Sequence, residues 1–97
     1  MTLPVVLRPQ ARAEIREAYE WYENAQSQLG KRFLGQLNAV ISQISDNPLL
    51  FSQTFGFQRA LVSSFPYCIY YRVEVIEVVV VAVLHGRRDS KRLLKRR

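Results

Sequence analysis

The chain has 97 residues, is 48% hydrophobic and 23% charged, and carries a formal net charge of +6. A chain of this size buries about two-thirds of its unfolded surface, which supports one core and a single domain over residues 1–97 and excludes a multidomain or disordered class. A lone cysteine, Cys68, excludes an intrachain disulfide and a thiolate metal cluster.

Residues 3–7 alternate Leu3, Val5 and Leu7 with Pro4 and Val6, which predicts a short strand. Pro4 lacks an amide donor, so that strand belongs at a sheet edge. Pro9 suits the first turn of a helix, and Ala11, Ile15, Ala18, Tyr19 and Tyr22 then recur at helical spacing. The opposite face, with Glu14, Arg16, Glu17 and Glu20, reads as solvated. The spacing of Tyr19 and Tyr22 argues for packing near the sheet and leaves Trp21 open to a partner. Ser27 is the candidate N-cap of a second helix, whose stripe is Leu29, Phe33, Leu37, Val40, Ile41 and Ile44; Pro48 ends it. Two helices of about 17 to 19 residues, rising about 1.5 Å per residue, make a hairpin about 25 to 29 Å long that needs a sheet to cover.

Three strands are predicted over residues 57–62, 67–73 and 77–84, rich in β-branched and aromatic residues and joined closely enough for antiparallel pairing. Residues 78–83 are apolar on both faces, as in a central strand covered from both sides. In the middle strand, Ile69, Tyr71 and Val73 fall on one face, expected to meet the helices. Cys68, Tyr70 and Arg72 fall on the other, expected to look outward. No apolar run is long enough to span a bilayer, and residues 1–10 lack a cationic leader, so a reducing cytoplasm is expected.

The charge is localised. Residues 1–84 hold seven cations and seven anions; residues 85–97 hold Arg87, Arg88, Lys91, Arg92, Lys95, Arg96 and Arg97 against Asp89 alone. Such a basic segment suits a phosphate backbone or an acidic protein partner, or serves as a solubilising tail. Leu93 and Leu94 offer an apolar anchor between the cations, and a short helix is expected there. His85 is the one side chain that titrates near neutrality unperturbed; at a strand end it reads more readily as a hydrogen-bonded structural group than as a catalyst. A single His without a second His or Cys nearby is a poor metal site.

The order strand, helix, helix, three strands, together with "AYEWYE", "LGKRFL", "NPLLF", "FPYCIYYRV" and "VLHGRRD", resembles the RelE/ParE toxins of bacterial type II toxin-antitoxin modules, the ParE branch in particular, from Leu3 to about Asp89. The resemblance implies an α+β fold of order β-α-α-β-β-β, a helix hairpin packed on one face of an antiparallel sheet, with residues 85–97 as a basic C-terminal segment. It also implies a plasmid-stabilising or growth-arresting toxin without a cofactor.

Two activities occur under this resemblance. ParE-like members poison DNA gyrase and trap cleaved DNA, which here assigns target binding to Arg87, Arg88, Lys91, Arg92, Lys95, Arg96 and Arg97, with Arg59 and Arg72 in support. RelE-like members cut mRNA on the ribosome without metal; Arg87 and Arg59 match basic positions of that family, and with Arg72 to stabilise charge and His85 to move a proton they form the catalytic set expected under that reading. The cation that RelE-like members carry at the position of Cys68, and their tyrosine near Leu93, are absent, so gyrase is the preferred target. A nucleic-acid-binding module is a third reading; its affinity would fall by about 0.9 log units per log unit of salt for each phosphate contact. The resemblance further implies a cognate antitoxin, whose acidic, disordered segment folds along the hairpin and the exposed sheet, with Trp21, Tyr70 and Arg72 as contacts.

Overall fold

The computed structural model describes residues 2–86 and 90–96. Strand β1 (Val5–Leu7) leads into helices α1 (Pro9–Ala25) and α2 (Leu29–Asp46). Strands β2 (Gln53–Thr54), β3 (Phe57–Leu61), β4 (Tyr67–Val73) and β5 (Val78–His85) follow, then a 3-10 helix over Ser90–Arg96. The expected order is present, with the two-residue β2 added at the far edge. The strands stand in the order β1-β5-β4-β3-β2.

One pairing departs from expectation. β1 runs parallel to β5, with Val5 opposite Val78 and Leu7 opposite Val80, whereas the other pairs are antiparallel. The sheet is therefore mixed. β1 is the edge strand that Pro4 implied, and it stops at Leu7 because Pro9 opens α1. Beyond Val80, no strand among the described residues lies on the outer side of β5.

The sheet's inner face meets the helix hairpin. Phe33, Leu37, Val40 and Ile44 of α2 and Ala11 and Ala18 of α1 pack with Ile69, Tyr71, Val78, Val80 and Val83. Burying an aliphatic or aromatic side chain of this kind stabilises by about 1.5–3 kcal/mol. Tyr22 joins the same core, edge-on to Phe65 and Tyr67. Tyr19 lies against Gly30, where a Cβ would stand 2.8 Å from the Tyr19 carbonyl oxygen, so only glycine permits this helix crossing.

The start of α2 differs from the predicted cap. Ser27 does not cap it; Gln28 occupies the cap position in left-handed backbone (φ 74°) and makes no side-chain cap bond. Instead Glu23, near the end of α1, accepts the Gln28 and Gly30 amides, each at 3.0 Å. The turn between the helices is so short that a carboxylate from the preceding helix reaches the amides left unpaired at the start of α2.

Two consecutive residues of β5, Val81 and Ala82, face the same side, because the register passes from Tyr70 opposite Ala82 to Tyr71 opposite Val80. Val81 is thus the extra residue of a β-bulge. The outer face gathers Phe57, Cys68, Tyr70, Val79, Val81 and Leu84, and Leu93 from the 3-10 helix closes over them. Tyr70 and Cys68, expected to look outward, are buried. The cover that the all-apolar β5 demanded comes from the chain's own C-terminal segment. Among the described residues, no helix is long and apolar enough to cross a membrane.

Candidate functional site

A 3-10 helix has about three residues per turn, so side chains three apart share a face. Leu93 and Arg96 are such a pair, and both turn inward: Leu93 is 0% exposed within the outer-face cluster. Arg96 forms a two-pronged ion pair with Glu14, its Nη1 donating to Oε1 at 2.9 Å and its Nη2 to Oε2 at 2.6 Å. Nη1 also donates to the Val81 carbonyl at 3.2 Å, while the Glu14 Oε1 accepts the Val83 amide at 3.0 Å. Parallel guanidinium-carboxylate bonds of this kind are among the stronger ones in proteins. Lys91, Arg92 and Lys95 occupy the other faces of the helix and are exposed.

The terminal cations assigned to target binding therefore fall into different classes. Lys91, Arg92 and Lys95 point to solvent from a helix fixed on the sheet, whereas Arg96 faces inward and is committed to Glu14. Arg87, Arg88 and Arg97 lie outside the described residues.

Glu14, too, lies elsewhere than predicted from the sequence. It was expected on a solvated face, but it is only 8% exposed. The signal was its position: three residues after Ala11 and four before Ala18, it shares a face with two buried alanines. Those small neighbours bring α1 close to β5, and the carboxylate meets the strand's open edge.

Arg59, Arg72 and His85 are not brought to one place. Arg59 is exposed on β3, beside Cys68, Leu61, Pro66 and Gly86. Arg72 is half-buried at the opposite end of β4, beside Gln53, Gln58 and Glu74, and its Nε is buried without a hydrogen-bond partner among the described residues. His85 pairs across the ladder with Tyr67 and sets its ring edge-on to that tyrosine at 5.7 Å, toward the helix side of the sheet. Burial pushes the Cys68 thiol and the Tyr70 phenol above their ordinary pKa values, with the Arg59 guanidinium opposing in both cases. Both groups are thereby held neutral. Among the described residues, no group of three or more His, Cys, Asp or Glu is placed to hold a metal ion. Trp21 is 68% exposed beside Asn24 and Ala25.

The family model for the ParE toxin of type II toxin-antitoxin systems, parDE, matches residues 5–90. The chain belongs to this ParE toxin family. The match ends on the first residue of the 3-10 helix, so Leu93 and Arg96 lie beyond it. A solved structure described as the chromosomal ParDE TA system from P. aeruginosa shares the ParE fold, with a TM-score of 0.75 and 11% sequence identity. The alignment covers 87% of this chain and 96% of that one. At that identity the likeness is one of fold. No curated protein matches.

Proposed function

We propose that this ParE-family toxin acts in the cytoplasm on DNA gyrase, stabilising the cleaved DNA complex through its basic C-terminal segment, and that a cognate antitoxin neutralises it. The observation that carries the reading is the display of Lys91, Arg92 and Lys95 outward from a helix whose opposite face is pinned by Leu93 and Arg96. A preordered cluster of cations binds phosphate or carboxylate groups without first losing conformational entropy. No chemical step of the toxin's own is needed. If it binds the cleaved state better than the religated one by about 1.4 kcal/mol, the balance between them shifts tenfold.

The antitoxin reading rests on a groove along the helix hairpin. Leu7, Ile15, Tyr19 and Leu34 line it and are each partly buried, with the exposed Arg12 and Arg16 beside them. That combination suits an acidic segment with apolar residues at intervals, folding as it binds. Trp21 stays exposed for such a partner and Arg72 is half-buried, whereas Tyr70, 1% exposed beneath Leu93, is withdrawn from the contacts expected of it.

Induction of the chain in cells without its partner tests the target. Gyrase-dependent linearisation of plasmid DNA is the expected outcome; new mRNA ends at codon positions with intact plasmid would replace it with the ribonuclease reading. The double variant Arg87→Ala, Arg88→Ala is expected to lose the effect while remaining folded. Undiminished toxicity would remove those two residues from the target surface.

A further inference from the structure

We infer that Glu14 is a positioning residue for the C-terminal segment: through Arg96 it latches the 3-10 helix onto the open edge of β5, and release of that latch disarms the toxin without removing any cation. The inference deepens the proposed role of the basic segment and rests on it.

The physical reason lies in the edge of the sheet. The last backbone bond from the β1 side reaches the Val80 carbonyl, donated by the Arg8 amide. From Val81 onward β5 still pairs with β4 on one side but has lost its neighbour on the other. Buried backbone donors and acceptors left unpaired there would be costly. The bulge at Val81 leaves that carbonyl outside the ladder, and Arg96 donates to it; two residues on, Glu14 accepts the Val83 amide. The two side chains, joined to each other, do the hydrogen bonding that a continued β1 would do.

Three further observations make this a latch for the helix rather than a local cap. Arg96 is the last described residue of the 3-10 helix, so the ion pair ties down the end of the segment. Leu93, one turn earlier on the same face, is buried in the outer cluster, so the segment is held at two points. Lys91, Arg92 and Lys95 have their directions set by those two anchors. Removing one partner of a desolvated ion pair leaves the other charge buried and unpaired, which favours opening of the segment.

The test uses the full-length chain and its variants Glu14→Gln, Arg96→Gln and the double substitution. Glu14→Gln keeps an acceptor for the Val83 amide and leaves all seven terminal cations in place. Amide hydrogen exchange is measured at Leu93–Arg96, with Ile69 in β4 as the reference for global opening. Exchange at Leu93–Arg96 is expected to quicken by about tenfold in each single variant, with the Ile69 amide unchanged. Because the two residues act through each other, the double variant is expected to go no further than either single.

Rates at Leu93–Arg96 within about twofold of the parent, or effects that multiply in the double variant, would overturn the latch. Toxicity on induction is read in parallel. Its loss in Glu14→Gln, with every cation retained and the Ile69 amide unchanged, is the expected outcome and assigns the effect to misplacement. Quickened exchange with full toxicity would keep the Glu14–Arg96 contact as a structural tie but overturn its role in arming the toxin and remove the 3-10 helix from the effector surface, so the two failures are distinct.

Discussion

Three groups on β4 have their proton affinity raised chiefly by burial: Cys68, Tyr70 and Tyr71, the last pushed up to about 12. Each is neutral in the fold, and in each case the unfolded chain gives up its proton at a lower pH than the folded one. Stability is then fully present below the unfolded value of 10.0 for Tyr71 and is lost as pH rises towards about 12. The urea midpoint is therefore expected to fall progressively above pH 10, and Tyr71→Phe to flatten that fall. An unchanged midpoint up to pH 12 would contradict the assignment. At neutral pH the same variant removes the phenol that donates to the buried Pro48 carbonyl at 2.8 Å, costing about 1–3 kcal/mol if that carbonyl stays dry. Gly30 makes a similar local demand. Gly30→Ala would place a methyl group against the Tyr19 backbone, and overpacking of about 1–3 kcal/mol is expected from denaturant unfolding.

At the level of elements, the helix hairpin owes its geometry to contacts that neighbouring residues make with one another. The Glu23 carboxylate takes two amides at the start of α2. Glu23→Ala is expected to cost about 0.5–2 kcal/mol in the urea midpoint, as loss of a cap does, and Glu23→Gln less. A neutral result for Glu23→Ala would show that water replaces the carboxylate without loss.

Both helices and β3, β4 and β5 were legible within a residue or so because their apolar residues repeat at 3.6 or 2 and their ends carry Pro9 and Pro48. Ile69, Tyr71 and Val73 on the helix side followed from the same alternation. What escaped was non-local. The parallel pairing of β1 with β5 joins opposite ends of the chain, and nothing in five residues near the N-terminus names its partner. The bulge at Val81 was hidden in a run of valines where either face reads as apolar. Burial of Glu14 depended on both: the edge left open by β1 and the carbonyl freed by the bulge create the demand that its carboxylate meets.

The whole molecule is asymmetric in charge. Residues 1–84 balance their charges, and the excess of cations follows in residues 85–97, whose described helix is nevertheless bound to the sheet by Leu93 and Arg96. A merely solubilising tail gains nothing from such anchoring; a surface that must meet another macromolecule in one orientation does. Exposed apolar residues elsewhere, including Trp21, Leu49, Leu50, Val75 and Ile76, leave the free chain with surface to cover. It is therefore expected to be less soluble alone than with an acidic partner, as turbidity or light scattering at matched concentration would show.

The decisive measurement is made with purified components: supercoiled plasmid, gyrase and ATP, incubated with the toxin or with its variant Lys91→Gln, Arg92→Gln, Lys95→Gln, after which linear DNA is quantified. The toxin is expected to accumulate gyrase-dependent linear DNA. The variant, with an unchanged urea midpoint, is expected to need at least about tenfold more protein for the same yield. A folded variant as potent as the parent, or a parent that leaves the plasmid supercoiled, would contradict the assignment of the anchored basic helix as the surface that traps cleaved DNA.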